Sequence, residues 1–123
     1  MEKVNLEDKF KQFNDYWSPK IVGNLGRYQI KLAKFHDQFV WHHHNNEDEF
    51  FLIIKGSVTI HLKENNQEKQ YELKEGEFFI VPKGVEHMPV ANGVAEVLLF
   101  EPATTLNTGN VKDEKTVSNL KRI

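Results

Sequence analysis

Apolar and polar residues alternate with a period of two in several short segments of the chain. In residues 28–33 the apolar positions are Tyr28, Ile30 and Leu32, and the same alternation occurs in residues 57–63 and 70–74. Successive side chains of a β-strand point to opposite faces of a sheet, so this period predicts half-buried strands. Residues 78–81 and 94–100 are apolar without clean alternation, which is typical of strands covered on both faces.

Turn-forming residues separate these segments at short intervals: "KENNQEK" (63–69), "KEG" (74–76), "PKG" (82–84) and "ANG" (91–93). Many short strands with frequent turns, in a chain of 123 residues, predict one all-β domain built as an antiparallel sandwich or barrel. We expect a barrel over residues 21–102. A polar tail at 103–123 is expected to drape over the barrel or to fray.

A short helix is predicted in residues 1–20, where it would pack on the barrel. Asn5 is a candidate N-cap and Asp8 follows three residues later, as in a capping box. Apolar residues then recur at helical spacing and would form one face: Leu6, Phe10, Phe13 and Trp17. Pro19 ends the pattern.

Composition excludes several classes of function. The formal charge of −2 and the absence of a basic patch argue against a nucleic-acid partner. The longest apolar stretch, residues 50–54, is far too short for a membrane helix, and residues 1–13 lack a hydrophobic signal core, so we expect a cytoplasmic protein with no membrane partner. There is no cysteine, so any metal must be held by histidine and carboxylate.

Three consecutive histidines lie in "FVWHHHNNEDEFF". If this segment is a strand, His42 and His44 project to one face, and His43 projects to the other face together with Trp41 and Phe39. Two imidazoles on one strand face, about 7 Å apart at their Cα atoms, can converge on one metal ion. His42 and His44 are therefore candidate ligands.

Further ligands must come from elsewhere in the chain. Glu49 is a candidate because it adjoins the apolar strand of residues 50–54, although Glu47, Asp48 and Glu49 could equally be solvated turn residues. His87 follows a buried-looking strand and a Pro-Lys-Gly turn, from which its ring could reach back into the barrel.

Two linked motifs carry a family resemblance. His42-x-His44-x4-Glu49-x6-Gly56 resembles the first motif of the cupin superfamily, and Gly76-x5-Pro82-x-Gly84-x2-His87 resembles the second. The flanking sequences are also similar to small single-domain bacterial cupins of the group called mannose-6-phosphate isomerase-like. The resemblance implies a double-stranded β-helix, or jelly-roll barrel, whose metal ligands are the matched residues His42, His44, Glu49 and His87.

Three neutral imidazoles and one carboxylate would leave a divalent ion with a net charge near +1 and, if octahedral, about two open positions. Manganese, iron, nickel, copper, cobalt and zinc all tolerate such ligands, so the identity of the metal stays open. We expect a metal-dependent enzyme acting on a small oxygen-rich or anionic molecule, either an oxygenase or a sugar-isomerase-like enzyme. The alternative is a cupin that binds or senses a small molecule or metal without turnover.

Strand parity predicts an apolar interior around the ligands, lined by Val40, Phe51, Ile53, Val58 and Ile60. The nearest candidates for an additional acid or base are Tyr28, Gln29 and Glu101. No catalytic residue is assigned. The other histidines are expected at the surface or at an interface: His36, His43 and His61.

Large aromatic side chains on the outer face of a barrel strand need cover. Phe39 and Trp41 would be covered either by the helix stripe of Leu6, Phe10 and Phe13 or by a second subunit. Related cupins commonly pair through their sheets, so the resemblance implies a homodimer.

Overall fold

A computed structural model describes all residues 1–123 and confirms an all-β fold with one short helix. The elements, in chain order, are α1 (Leu6–Phe10), β1 (Lys20–Leu25), β2 (Tyr28–Gln38), β3 (Glu49–Lys55), β4 (Val58–Glu64), β5 (Gln67–Leu73), β6 (Phe78–Val81), β7 (Glu86–Pro102) and β8 (Lys121–Arg122). The helix has five residues, and no helix of this chain is long and apolar enough to cross a membrane.

The long strand β7 organises the barrel. Its first part pairs with β4, its last part pairs with β3, and β2 runs antiparallel along the other side of both parts. The "ANG" segment, predicted to be a turn, is instead an irregularity within β7, where the register against β2 shifts between Ala91 and Val94. Gly93 there has φ +73°, a left-handed conformation that glycine adopts without strain.

The interior is apolar, as predicted. Phe51, Ile53, Val58 and Ile60 are buried in the main core cluster, and Val40 packs against it. β2 presents its two faces to two different layers, because Leu32 packs in a second cluster outside the sheet while Ala33 and Phe35 belong to the main core. The alternation predicted that Lys31 lies on the polar face of β2. It lies instead on the same face as Ala33 and Phe35 and is fully buried.

The N-terminal segment differs from its prediction. α1 begins after the N-cap Asn5, whose side chain accepts a hydrogen bond from the Asp8 amide, but it ends at Phe10. Phe10 and Phe13 pack in the second cluster, on the outside of the sheet. Trp17 does not continue the helix face: it has φ +57° and stacks on Phe35 in the main core, with ring centroids 4.3 Å apart.

The C-terminal tail is attached to the barrel. Thr105 and Thr108 are buried, and β8 pairs in parallel with β1. The boundaries of the three predicted segments, 1–20, 21–102 and 103–123, stay a prediction.

Candidate metal centre

The histidine-rich segment, residues 39–48, contains no regular strand: residues 39–44, for which a strand was considered, make one isolated bridge, and residues 45–46 form a bend. Its one β-bridge joins His42 to His87, whose backbone amides each donate to the other's carbonyl at 3.0 and 2.8 Å. Side chains of such a facing pair lie on the same side of the ladder. The bridge therefore places the rings of His42 and His87 together inside the barrel, with centroids 4.3 Å apart.

The irregular segment makes part of the predicted parity wrong. Phe39 and His42, three residues apart, both face the interior, so the alternation breaks between them. Phe39 is buried in the main core, where it stacks on Trp17. Trp41 does lie away from the core. It is covered by Lys63 and not by the helix stripe, and the Lys63 Nζ lies 4.1 Å from the indole centroid.

Four buried side chains meet at one point, and we call them the His3Glu cluster: His42, His44, Glu49 and His87. One nitrogen or oxygen atom from each lies within 4.8 Å of the others. Glu49 Oε2 lies 3.2 Å from His87 Nε2 and 3.9 Å from His42 Nε2, and it also contacts His44 Nε2. All four sequence candidates are thus brought together around one carboxylate oxygen.

Backbone carbonyls fix the orientation of two of these rings. His42 Nδ1 donates to the Val40 carbonyl and His87 Nδ1 donates to the Val85 carbonyl, each at 2.9 Å. A carbonyl only accepts, so a neutral ring in either position carries its proton on Nδ1 and leaves the lone pair of Nε2 directed into the cluster. Outer hydrogen bonds of this kind orient histidine ligands in metal sites.

The donor atoms of the cluster suit a divalent metal. The Nε2 atoms of His42 and His44 are buried: that of His42 has no hydrogen-bond partner in the protein, and that of His44 meets only Glu49 Oε2. A buried polar atom without a partner is costly, and a cation at the centre of the cluster would satisfy both nitrogens and the carboxylate. Nitrogen and oxygen donors without thiolate accept most first-row divalent ions, so this set does not select one metal.

Electrostatic interactions within the cluster favour a negatively charged Glu49 and a positively charged His44. Burial alone would raise the pKa of Glu49, but the three surrounding imidazoles outweigh it and hold this pKa well below its usual range. Burial alone would lower the pKa of His44, but contact with Glu49 and the charges of Glu101 and Glu47 raise it. The carboxylate is therefore ionised and available to a cation.

The three candidates for an additional acid or base differ in burial and in the residues that they contact. Tyr28 is 44% exposed and packs on Phe100, away from the interior. Gln29 is half-buried and pairs with Glu101 across the β2–β7 ladder. Only Glu101 is buried, and its partner is Lys31, whose Nζ lies 2.9 Å from Oε1. Lys31 could not be identified from the sequence, because both faces of β2 carry apolar residues and the alternation therefore does not show which face is the inner one.

The remaining histidines lie outside the cluster, in agreement with their prediction. His36 stacks on Tyr16 and has a 40% exposed side chain. His43 is half-buried and contacts Glu86 Oε2 through Nδ1 at 2.9 Å. His61 is half-buried beside Trp41.

The interior beside the cluster is narrow. A cavity of about 20 Å³ touches His42 and Glu49 and is walled by aromatic side chains, including Trp17, Phe35 and Phe39. This volume is enough for about one water molecule. A wider surface pocket of about 160 Å³ reaches His44, and residues of the C-terminal tail form one wall of it: Thr104, Leu106, Gly109 and Asn110.

The tail is fastened directly to the histidine segment. The Asn110 side chain accepts from the His43 amide at 2.9 Å, and the Asn110 amide donates to the His43 carbonyl at 3.1 Å. Gly109 has φ +56°, and a Cβ there would lie 2.2 Å from that same carbonyl oxygen. Thr104 also donates to Glu47 at 2.9 Å. Nothing in the polar composition of the tail indicated these contacts.

Comparison with known proteins agrees with this architecture. A cupin-2 domain protein from Shewanella frigidimarina, known from its crystal structure, is 37% identical with a TM-score of 0.76, and the match covers 80% of this chain and 93% of that one. Hydroquinone 1,2-dioxygenase from Sphingomonas, in complex with 4-nitrophenol, has a TM-score of 0.74 at 16% identity, covering 84% of this chain and 33% of that chain, and is similar in fold alone.

In sequence, the chain is similar to 3-hydroxyanthranilate 3,4-dioxygenase from Xenopus tropicalis. The two are 26% identical over 101 residues, which are 80% of this chain but only 36% of that enzyme. The profile of the cupin domain family matches residues 30–101, more than half of the chain. With the all-β barrel and the buried cluster of its two motifs in place, the chain belongs to the cupin family.

Proposed function

We propose that this protein is a metal-dependent enzyme and that it acts on a small oxygen-rich or anionic molecule. The ligands of one divalent transition metal would be the four residues of the His3Glu cluster: His42, His44, Glu49 and His87. The observation that carries the proposal is the convergence of four buried donor atoms within 4.8 Å, one of which, His42 Nε2, has no hydrogen-bond partner in the protein.

When bound, the ion would supply a Lewis-acid centre for a substrate oxygen and, if it is redox-active, the means to use dioxygen. The protein contributes the rest. Glu49 offsets part of the charge of the ion, the carbonyls of Val40 and Val85 hold two imidazoles in position, and the aromatic wall beside His42 limits access of water.

An oxygenase reaction is the more strongly supported of the two expected chemistries. The similarity to a 3,4-dioxygenase of a hydroxylated aromatic acid extends over 80% of this chain. Because the chain spans only 36% of that enzyme, its substrate is not transferred to this protein. The sugar-isomerase reaction and binding without turnover stay the alternatives that the experiment must separate.

The first experiment measures metal. Protein without a histidine tag, purified without a nickel column and reconstituted with each candidate metal, should hold about one equivalent by mass spectrometry. His42→Ala and His87→Ala should lose it, whereas His36→Ala, at an exposed histidine of β2, should retain it. If the two cluster variants hold as much metal as wild type, the proposal is wrong.

The second experiment measures turnover by the metal-loaded protein. Oxygen uptake with hydroxylated aromatic compounds, lost in the cluster variants and retained in His36→Ala, would support an oxygenase. Conversion of a sugar phosphate without oxygen uptake would support the isomerase instead. Stoichiometric ligand binding without either reaction would support the binding protein.

We also propose that the protein forms a homodimer through β6. This strand pairs only with β3, so its other edge is free, and Phe78 and Ile80 on it are 61% and 49% exposed. The free edge of β5, by contrast, is protected by charged and polar residues, "QEKQYEL". An uncharged, apolar edge strand favours pairing with the same strand of a second copy.

A further inference from the structure

A buried ion pair lies close to the His3Glu cluster and takes no part in it. Lys31 of β2 and Glu101 of β7 have side chains that are 1% and 3% exposed, and Lys31 Nζ lies 2.9 Å from Glu101 Oε1. Burying two charges costs several kcal/mol each, and this cost is recovered only if the remaining donors and acceptors are also satisfied.

The hydrogen bonding of this pair is incomplete on both sides. Glu101 Oε2 is buried and has no partner in the protein. An ammonium group carries three N–H donors, and the hydrogen bond of Lys31 Nζ to Glu101 Oε1 uses one of them. The pair therefore presents a free acceptor and free donors at one place.

The register of the sheet places this pair next to the cluster. Phe50 faces Phe100 in the last pair of the β3–β7 ladder, and Glu49 and Glu101 are the next residues of their strands beyond that pair. Lys31 faces Leu99 from the other side, through the β2–β7 ladder. Positions this close on adjacent strands lie within about 5 to 8 Å of each other, so neighbouring substituents of one molecule could reach both groups if the cavity of about 20 Å³ beside His42 and Glu49 widens to admit it.

The charges are also linked. Burial raises the pKa of Glu101, the negative charge of Glu49 raises it further, and Lys31 opposes both, so that the pKa is about 7.

We propose that Lys31 and Glu101 form the part of the substrate site that binds a hydroxyl group, and that the substrate carries two neighbouring hydroxyls, one at the cluster and one at this pair. This inference rests on the proposed metal site. A hydroxyl group fits because it can donate to Glu101 Oε2 and accept from Lys31 Nζ at the same time. A purely anionic group would satisfy Lys31 but would be repelled by Glu101.

A purely structural pair is the competing explanation, and it makes a different prediction. A structural pair would affect all ligands of the cluster alike, because its loss would only loosen the barrel. A pair that contacts a hydroxyl would affect only those ligands that carry the second hydroxyl.

The test uses two coloured probes that differ by one hydroxyl group, 4-nitrocatechol and 4-nitrophenol. Their dissociation constants are measured by visible titration of the metal-loaded wild type, Glu101→Gln and the double variant Lys31→Met/Glu101→Gln. The double variant removes both charges and so avoids leaving one unpaired in the interior. Asp15→Asn, which removes the partner of Lys20 in an ion pair elsewhere, is the matched control.

In wild type and in Asp15→Asn, 4-nitrocatechol should bind more tightly than 4-nitrophenol. The loss of one charge-assisted hydrogen bond should reduce this preference about tenfold in Glu101→Gln and at least as much in the double variant. Metal content, measured in the same samples, should be unchanged.

An unchanged preference in both variants, or failure of the metal-loaded wild type to bind 4-nitrocatechol, would overturn the inference while leaving the metal site intact. A wild type that takes up no metal would overturn the inference and the proposed function together.

Discussion

His42 and His87 exchange both of their backbone hydrogen bonds, so two donors of the cluster are held by a single bridge between the histidine segment and the start of β7. The bridge fixes the separation of the two backbones, and the hydrogen bonds of the two Nδ1 atoms to the Val40 and Val85 carbonyls orient the rings. A metal ion held by both rings would in turn fasten these two segments together.

Removal of the metal should therefore lower thermal stability. At a free metal concentration of 100 times the dissociation constant, binding stabilises the folded chain by about 2.7 kcal/mol, which is roughly 10 °C in Tm for a domain of this size. The histidines must be deprotonated to bind, so the difference between metal and chelator should grow as the pH rises from 6 to 8. Calorimetry with and without a chelator measures it, and His36→Ala should behave as wild type.

The metal-free protein should show the opposite dependence on pH. The pKa of Glu101 is raised from 4.5 to about 7, so the folded state binds more protons than the unfolded state between these values and stability falls as pH rises. The loss approaches about 3 kcal/mol. The raised pKa of His44 acts in the same direction, because its contribution is present below pH 6.5 and is lost as pH rises through the folded value.

Urea denaturation in the presence of a chelator, between pH 5 and pH 8, tests this dependence. The lowered pKa of Glu49 has its effect below pH 4.5, outside this range. Glu101→Gln should flatten most of the slope. A wild-type protein that becomes more stable toward pH 8 without metal would contradict the expectation.

Gly109→Ala should detach the tail from the histidine segment. The added Cβ would meet the His43 carbonyl, and the backbone at φ +56° disfavours any side chain. Gly26→Ala is a matched control, because Gly26 has φ +58° with no atom within 4 Å of its Cβ position. We expect a loss of about 1 kcal/mol for Gly26→Ala and at least ~2 kcal/mol more for Gly109→Ala.

Hydrogen exchange locates the effect. Because the His43 and Asn110 amides bond to each other's residue, both should exchange faster in Gly109→Ala and remain protected in Gly26→Ala. Equal stability of the two variants would mean that the tail yields to the added methyl group without losing these bonds.

The edge of β6 predicts the oligomeric state. Ile80→Lys places a charge on the proposed interface and should convert a dimer to a monomer at micromolar concentration, as measured by light scattering after size exclusion. Tyr71→Lys, at an equally exposed residue of the protected strand β5, should leave the dimer intact. A monomeric wild type would exclude the interface.

Much of the fold was predictable because period-two alternation is local. It identified β2, β4 and β5, apolar runs indicated β3, β6 and the last part of β7, and the linked motifs identified all four residues of the cluster. It failed where the chain is irregular: α1 ends at Phe10, so Trp17 packs in the main core instead of extending the helix face, and Phe39 lies inward although the outer face was predicted for it. Lys31 was missed because pairing with β7 chose the inner face of β2, and pairing is not a local property.

The position of the cluster in the chain also sets the order in which it can form. Three of its four members lie within residues 42–49, at and just before the start of β3, but His87 joins them only when β7 has paired across the barrel. Closing such long-range contacts is the slow part of folding for barrels of this kind. Capture of the metal with its full set of ligands would therefore report that the barrel has closed, and the rate of capture would measure the rate of closure.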